Sequence, residues 1–156
     1  MTGKSFRIKT LRLYEHEDSI IDRACAALNG MERSQLVQEA ALLEAGRLGI
    51  RWSVGTPRPL ATSWPYMPER GEEPTEVRVS VTVSLSSAEL ITRAAEYVHA
   101  SEPLFLIGAT LAHIGRLQRC LRLIHAETPE EAREIRAKLE RIKLPSQYRY
   151  PRPSKQ

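Results

Sequence analysis

The chain has 156 residues, 42% of them hydrophobic, and a formal charge of +4; that is enough to bury a core, as one domain or as two small units packed together. No run of about 18 apolar residues occurs, and the start, MTGKSFRIKT, lacks the apolar stretch of a secretory signal. A membrane span is thereby excluded, and a cytoplasmic location is expected.

Residues 1–12 carry Lys4, Arg7, Lys9 and Arg12 and no acid. A first strand is expected over 7–13, where Leu11 and Leu13 alternate with Thr10 and Arg12. It is the weaker of two strands, because the same alternation puts Lys9 inward and Ile8 outward. The acids of EHEDS suit the unpaired amides and positive dipole of a helix start, and Gly30 suits its end. A second helix follows in RSQLVQEAALLEAGRLG, with Glu32 a poor cap before it. Residues 49–75 hold Pro57, Pro59, Pro65, Pro68 and Pro74 with three glycines, so this stretch is a linker, onto whose flanking units Trp52, Trp64 and Tyr66 are expected to pack.

The pattern then restarts. Val77, Val79, Val81 and Val83 alternate with Arg78, Ser80 and Thr82, a half-buried strand over 77–85. SSAE opens a helix, and Ser101 with Pro103 opens the next, EPLFLIGATLAHIGRLQRCLRLIHA. The two long helices are apolar over more than half their circumference and are expected to be buried as a shared core. Thr128, Pro129 and Glu131 start a last helix with the narrow stripe Ala132, Ile135, Leu139 and Ile142. The remaining SQYRYPRPSKQ is basic, proline-rich and expected to be disordered until bound.

The restart is a repeat. RLYEHEDSIIDRACAALNG set above TVSLSSAELITRAAEYVHA matches Ile20 with Leu90, Ile21 with Ile91, Arg23 with Arg93 and Ala24 with Ala94 at an offset of 70, and EAGRL (44–48) matches HIGRL (113–117) at 69. The organisation expected is one strand–helix–helix unit at 1–48, a linker at 49–75, a second unit at 76–126, and a helix with a basic tail at 127–156.

Chemistry-bearing clusters are sparse. Cys25 and Cys120 lie in helical apolar surroundings and are expected to be buried free thiols. His113, Cys120 and His125 lack a zinc-ligand spacing, so no metal or other cofactor is expected. There is no phosphate-cradling glycine loop and no nucleophile with a placed base; Glu15, Glu17 and Asp18 read as helix-start charges, and no catalysis is expected. The charge lies at the ends: 1–12 and 141–156 together carry +9, leaving 13–140 at −5. Basic ends suit either a polyanion or solubility.

Strand, helix, helix with RIKTLRLYEHEDSIIDRACAALNGMERSQLVQEAALLEA over residues 6–48, and more loosely 77–121, resembles the ribbon-helix-helix DNA-binding family. The first copy is most similar to the antitoxins that partner acetyltransferase toxins, through SIIDRACAA in its first helix and RSQLVQEAALLEA in its second. The resemblance implies a mainly α fold with a two-stranded antiparallel ribbon, the two units of this one chain pairing as an intramolecular pseudo-dimer. A lone unit cannot cover its apolar faces or satisfy its strand edge. In the family the ribbon enters the major groove. Carried over by position, the base-reading residues are Thr10, Arg12, Arg78, Ser80 and Thr82, and Lys4, Arg7, Arg33, Ser34 and Ser101 hold phosphate, the last three through the nearby backbone. The two outward faces differ, which implies an asymmetric target.

Three functions follow as expectations. The first is a sequence-specific double-stranded DNA-binding transcriptional regulator, repressor- or antitoxin-like. The second is a plasmid or conjugation accessory factor of a relaxosome, which the fusion of two units favours. In either, residues 128–156 would meet a protein partner: a toxin, a relaxase or a secretion component. The third is a protein-interaction module without DNA binding, which the acidic middle and Glu102 favour.

Overall fold

A computed structural model describes residues 6–51, 59–60, 63–71 and 76–150. Lys4, Trp52 and residues 151–156 of the tail lie outside the described residues. Strand β1 (Phe6–Tyr14) leads into helix α1 (Glu15–Ala27) and α2 (Arg33–Arg47); the same order returns as β2 (Glu76–Ser84), α3 (Leu85–Tyr97) and α4 (Glu102–Leu117), and α5 (Pro129–Glu140) follows. The fold is mainly α with a two-stranded antiparallel ribbon. No described helix is long and apolar enough to cross a membrane.

Each strand passes into its helix without a loop because its last residue is already the cap. Tyr14 and Ser84, 70 residues apart, keep extended backbones with ψ near 157 and 156°. Ser84 Oγ accepts from the Ser87 amide at 3.2 Å, and Glu17 accepts from the Tyr14 amide at 2.9 Å, so first-turn donors are satisfied at the bend. The turns that close α1 and α3 match as well. Asn29 and His99 both sit at φ 62°, and the amides after them, Gly30 and Ala100, donate back to Cys25 and Ala95 at 3.0 and 2.9 Å. Asn and His are among the non-glycine residues found most often in the left-handed region, so both helices can end in the same turn without a glycine at that position.

The ribbon register pairs Thr10 with Ser80, Ile8 with Thr82 and Arg12 with Arg78. Leu11, Leu13, Val81 and Val83 point inward and are buried. Lys9 falls on the inward face as its position requires. It is accommodated because its Nζ reaches past the core to Glu102 at 2.5 Å. The helices cross over to the opposite strands: α2 packs on β2 and α4 on β1. On β2 the otherwise open edge is closed by α2 side chains, the Thr82 amide donating to Ser34 Oγ at 2.8 Å and the Ser84 amide to Gln38 at 2.7 Å.

The two long helices meet as expected but are not equivalent. From Phe105 to Leu117 every residue of α4 is buried, whereas α2 buries one face and leaves Leu43 42% exposed. What α2, α3 and β1 leave uncovered on α4 is closed by the chain outside the repeats. Gly108 lies under the Trp64–Tyr66 segment and Gly115 under the Tyr148 carbonyl, so close that a Cβ at either would collide. Trp64 stacks on Phe105 (centroids 5.3 Å) and Tyr148 on Tyr66 (6.4 Å), while Gln147 donates to the Pro65 and Met67 carbonyls. Polar pairs stitch the helices inside this core: Glu44 of α2, 1% exposed, accepts from Trp64 Nε1 at 2.9 Å and from Arg116 of α4 at 3.2 Å. A buried carboxylate requires such partners.

Three expectations need correction. The expected helix 102–126 stops at Leu117. Past it Cys120 is extended, Leu121–Leu123 forms a 3-10 turn, and Gln118 Nε2 donates to the Leu139 and Ile142 carbonyls at the end of α5. Cys120 is half-buried, not buried. The last helix, capped by Thr128 as expected, turns Ala132, Ile135 and Leu139, with Ile142 beyond it, onto the core. The tail is placed as far as Tyr150, and Tyr148 is buried.

Candidate nucleic-acid interface

Successive side chains of a strand point to opposite faces, so the even-numbered residues of both strands share one face. On it Ile8, Thr10 and Arg12 of β1 lie opposite Thr82, Ser80 and Arg78 of β2, and all six are exposed. Thr10 and Ser80, the central pair of the register, are also 70 residues apart, the offset at which the two sequence segments match. The five residues expected to read bases therefore share one surface.

Arg12 and Arg78 stand directly opposite each other. Like charges at facing ribbon positions repel. Among the described residues neither guanidinium has a carboxylate in ion-pair range. A cleft of about 590 Å³ opens beside them, lined by Thr10, Arg12, Arg70, Arg78 and Ser101 among others, with one acid, Glu76, at its edge. Ser101, the residue before α4, thus borders the same cleft as three of the expected readers. Two guanidinium forks beside hydroxyls can donate hydrogen bonds to base edges or phosphate oxygens.

The helix starts flank the ribbon at its two ends. At α2, Glu32 makes no side-chain cap, leaving first-turn amides unfilled beside Ser34, whose Oγ already accepts from Thr82. Arg33 does not direct its guanidinium outward; it bonds Asp18 at 2.6 Å and Asp22 at 2.9 Å of α1, and those carboxylates raise its pKa against the effect of burial. Its side chain braces α1 against α2, and only its backbone remains for an anion. At α4, Ser101 Oγ accepts from Leu104 at 3.3 Å and Pro103 offers no amide. Glu102 there is not a bare charge. Burial raises its pKa, but the hydrogen bonds from Lys9 and Thr92, with the charges of Lys9 and Arg7, hold it below the usual carboxylate range. Arg7 is exposed on β1.

Two features carried no signal in the sequence. Arg70, from the proline-rich segment, forms two hydrogen bonds of 2.9 Å with Glu17, lies 4.2 Å over the Tyr14 ring and donates to the Arg12 carbonyl at 3.1 Å, pinning the Arg12 end of the ribbon. At the other end Phe6 and Leu85 join Ile8 in an exposed apolar group. Elsewhere, burial pushes the Cys25 thiol up, which keeps it protonated. No cluster of three metal-ligating side chains occurs among the described residues. Comparison of the chain with protein-family models, with curated proteins and with solved structures gives no match.

Proposed function

We propose that the chain is a sequence-specific double-stranded DNA-binding protein, a transcriptional regulator built from two ribbon-helix-helix units that pair within one chain as a pseudo-dimer. The observation that carries this reading is the outward ribbon face, where Arg12 and Arg78 oppose each other, neither of them ion-paired among the described residues, and Thr10, Ser80 and Thr82 continue the polar surface. A face that repels itself is relieved by an anion, and a two-stranded ribbon fits the major groove.

The pseudo-dimer is supported by the coincidence of repeat and register at Thr10 and Ser80, by the matched caps and turns, and by the packing of each long helix on the strand of the other unit. On this reading Arg12 and Arg78 bond guanine edges, the hydroxyls read neighbouring bases, and the α2 amides with Arg7 hold phosphate. The plasmid-transfer accessory reading uses the same interface, and the fusion of both units in one chain favours it; the two differ in where the site lies, not in how it is bound.

The test is binding to the duplex upstream of the protein's own coding sequence and to random duplex over a salt series, with wild type beside an Arg12→Ala, Arg78→Ala double variant. Preferential binding is expected, with log affinity falling by about 0.9 per phosphate contact per unit of log salt, and the double variant losing the preference. Equal, salt-insensitive binding by both proteins would favour the protein-interaction reading instead.

A further inference from the structure

The outward face is divided along its length. At one end Arg12 faces Arg78, and four residues away along β1 Ile8 faces Thr82, with Phe6 facing Ser84 beyond. Ile8 is 62% exposed, Phe6 42% and Leu85 44%; together with Arg7 and Lys9 they line a shallow hollow of about 430 Å³. Ile8 occupies the position in its unit that Arg78 occupies in the other, so the two units present opposite chemistries at one equivalent place.

We propose that this face reads a non-palindromic site, with Arg12 and Arg78 on guanines at one end and Ile8, supported by Phe6, on thymine methyl groups at the other. The inference rests on the DNA-binding reading and deepens it. Its warrant is chemical. The major groove offers a single apolar group, the thymine C5-methyl, and an exposed β-branched side chain on a groove-facing strand has that partner and no other there. The apolar end is continuous with the cationic end through Thr10 and Ser80 and is bordered by the exposed Arg7, so it enters the same polyanionic groove. Four residues of strand span about 13 Å, or roughly four base-pair steps, which sets the spacing between the guanine and thymine positions.

The test uses the full chain to select a duplex from a random pool. Each thymine of the selected site is then replaced singly by uracil, which removes only the methyl group. Expected is a consensus without two-fold symmetry, and a roughly threefold to fivefold loss, the worth of one buried methyl, at one or two thymines about four steps from the guanines. That loss should vanish in Ile8→Ala and persist in Arg12→Ala. A palindromic consensus, or uracil tolerated everywhere, would overturn the proposal and leave DNA binding standing. Selection of no duplex would overturn both. An Ile8→Ala variant that changes only self-association, with its uracil response intact, would assign the apolar end to a second copy of the chain and likewise overturn it.

Discussion

Arg12 and Arg78 face each other across the ribbon, and like charges so placed disfavour the folded state. Arg78→Thr should therefore stabilise the protein by a few tenths of a kcal/mol in urea unfolding, while weakening binding to the selected duplex about tenfold, the worth of one bidentate base contact. A variant that loses stability instead would show that Arg78 has a structural partner. Glu39 carries a second prediction. Its pKa is lowered, first by the hydrogen bond with His113 of α4 at 3.2 Å, with His125 adding to the effect against burial. A carboxylate whose folded pKa lies below its ordinary 4.5 contributes stability above that value and loses it as pH falls through the folded pKa. Glu39→Gln should be the less stable protein at pH 6, and its stability should fall less than that of wild type between pH 5 and pH 3, as read by thermal unfolding at each pH.

Among the elements, α2 and α4 share a short sequence match and differ in what covers them. Gly46 and Gly115 hold equivalent places in EAGRL and HIGRL. Nothing lies near a Cβ added at Gly46, whereas one at Gly115 meets the Tyr148 carbonyl. Gly46→Ala should gain up to about 1 kcal/mol from helix propensity. Gly115→Ala should lose about 2 kcal/mol or more by displacing the tail. Equal effects in urea unfolding would mean that the tail does not seat on α4. The contrast also explains what the sequence conveyed about each element. The valine alternation of β2 identifies it because both its faces obey the period. β1 was harder, since Lys9 is tolerable inside only through Glu102, 93 residues away. The end of α4 had no proline or glycine to mark it, and is set by Gln118 reaching the last carbonyls of α5.

For the molecule as a whole, the repeat conveyed the order of elements and the aromatic residues announced that the linker would pack, but not where. Trp64 and Tyr66 settle on α4 because Gly108 lets the backbone approach, a complementarity that no local pattern encodes. The candidate site was legible in its polar residues, which follow from strand alternation. The opposition of Arg12 to Arg78 depends on register, and register depends on how two distant segments dock. Ile8 read as an exception within a polar face, and the exposed Phe6 and Leu85 beside it give that exception a place. The tail did not read as ordered, because a basic, proline-rich composition says nothing of a single tyrosine that fits between Tyr66 and Gly115.

Amide NMR of the full protein titrated with the selected duplex tests whether the outward ribbon face of a single chain binds DNA. The largest shifts are expected in residues 6–12 and 76–82 and at the starts of α2 and α4, saturating at one chain per site, with α5 silent. Shifts centred on α5 or on the exposed side of α2 around Leu43, with the ribbon unmoved, would contradict it.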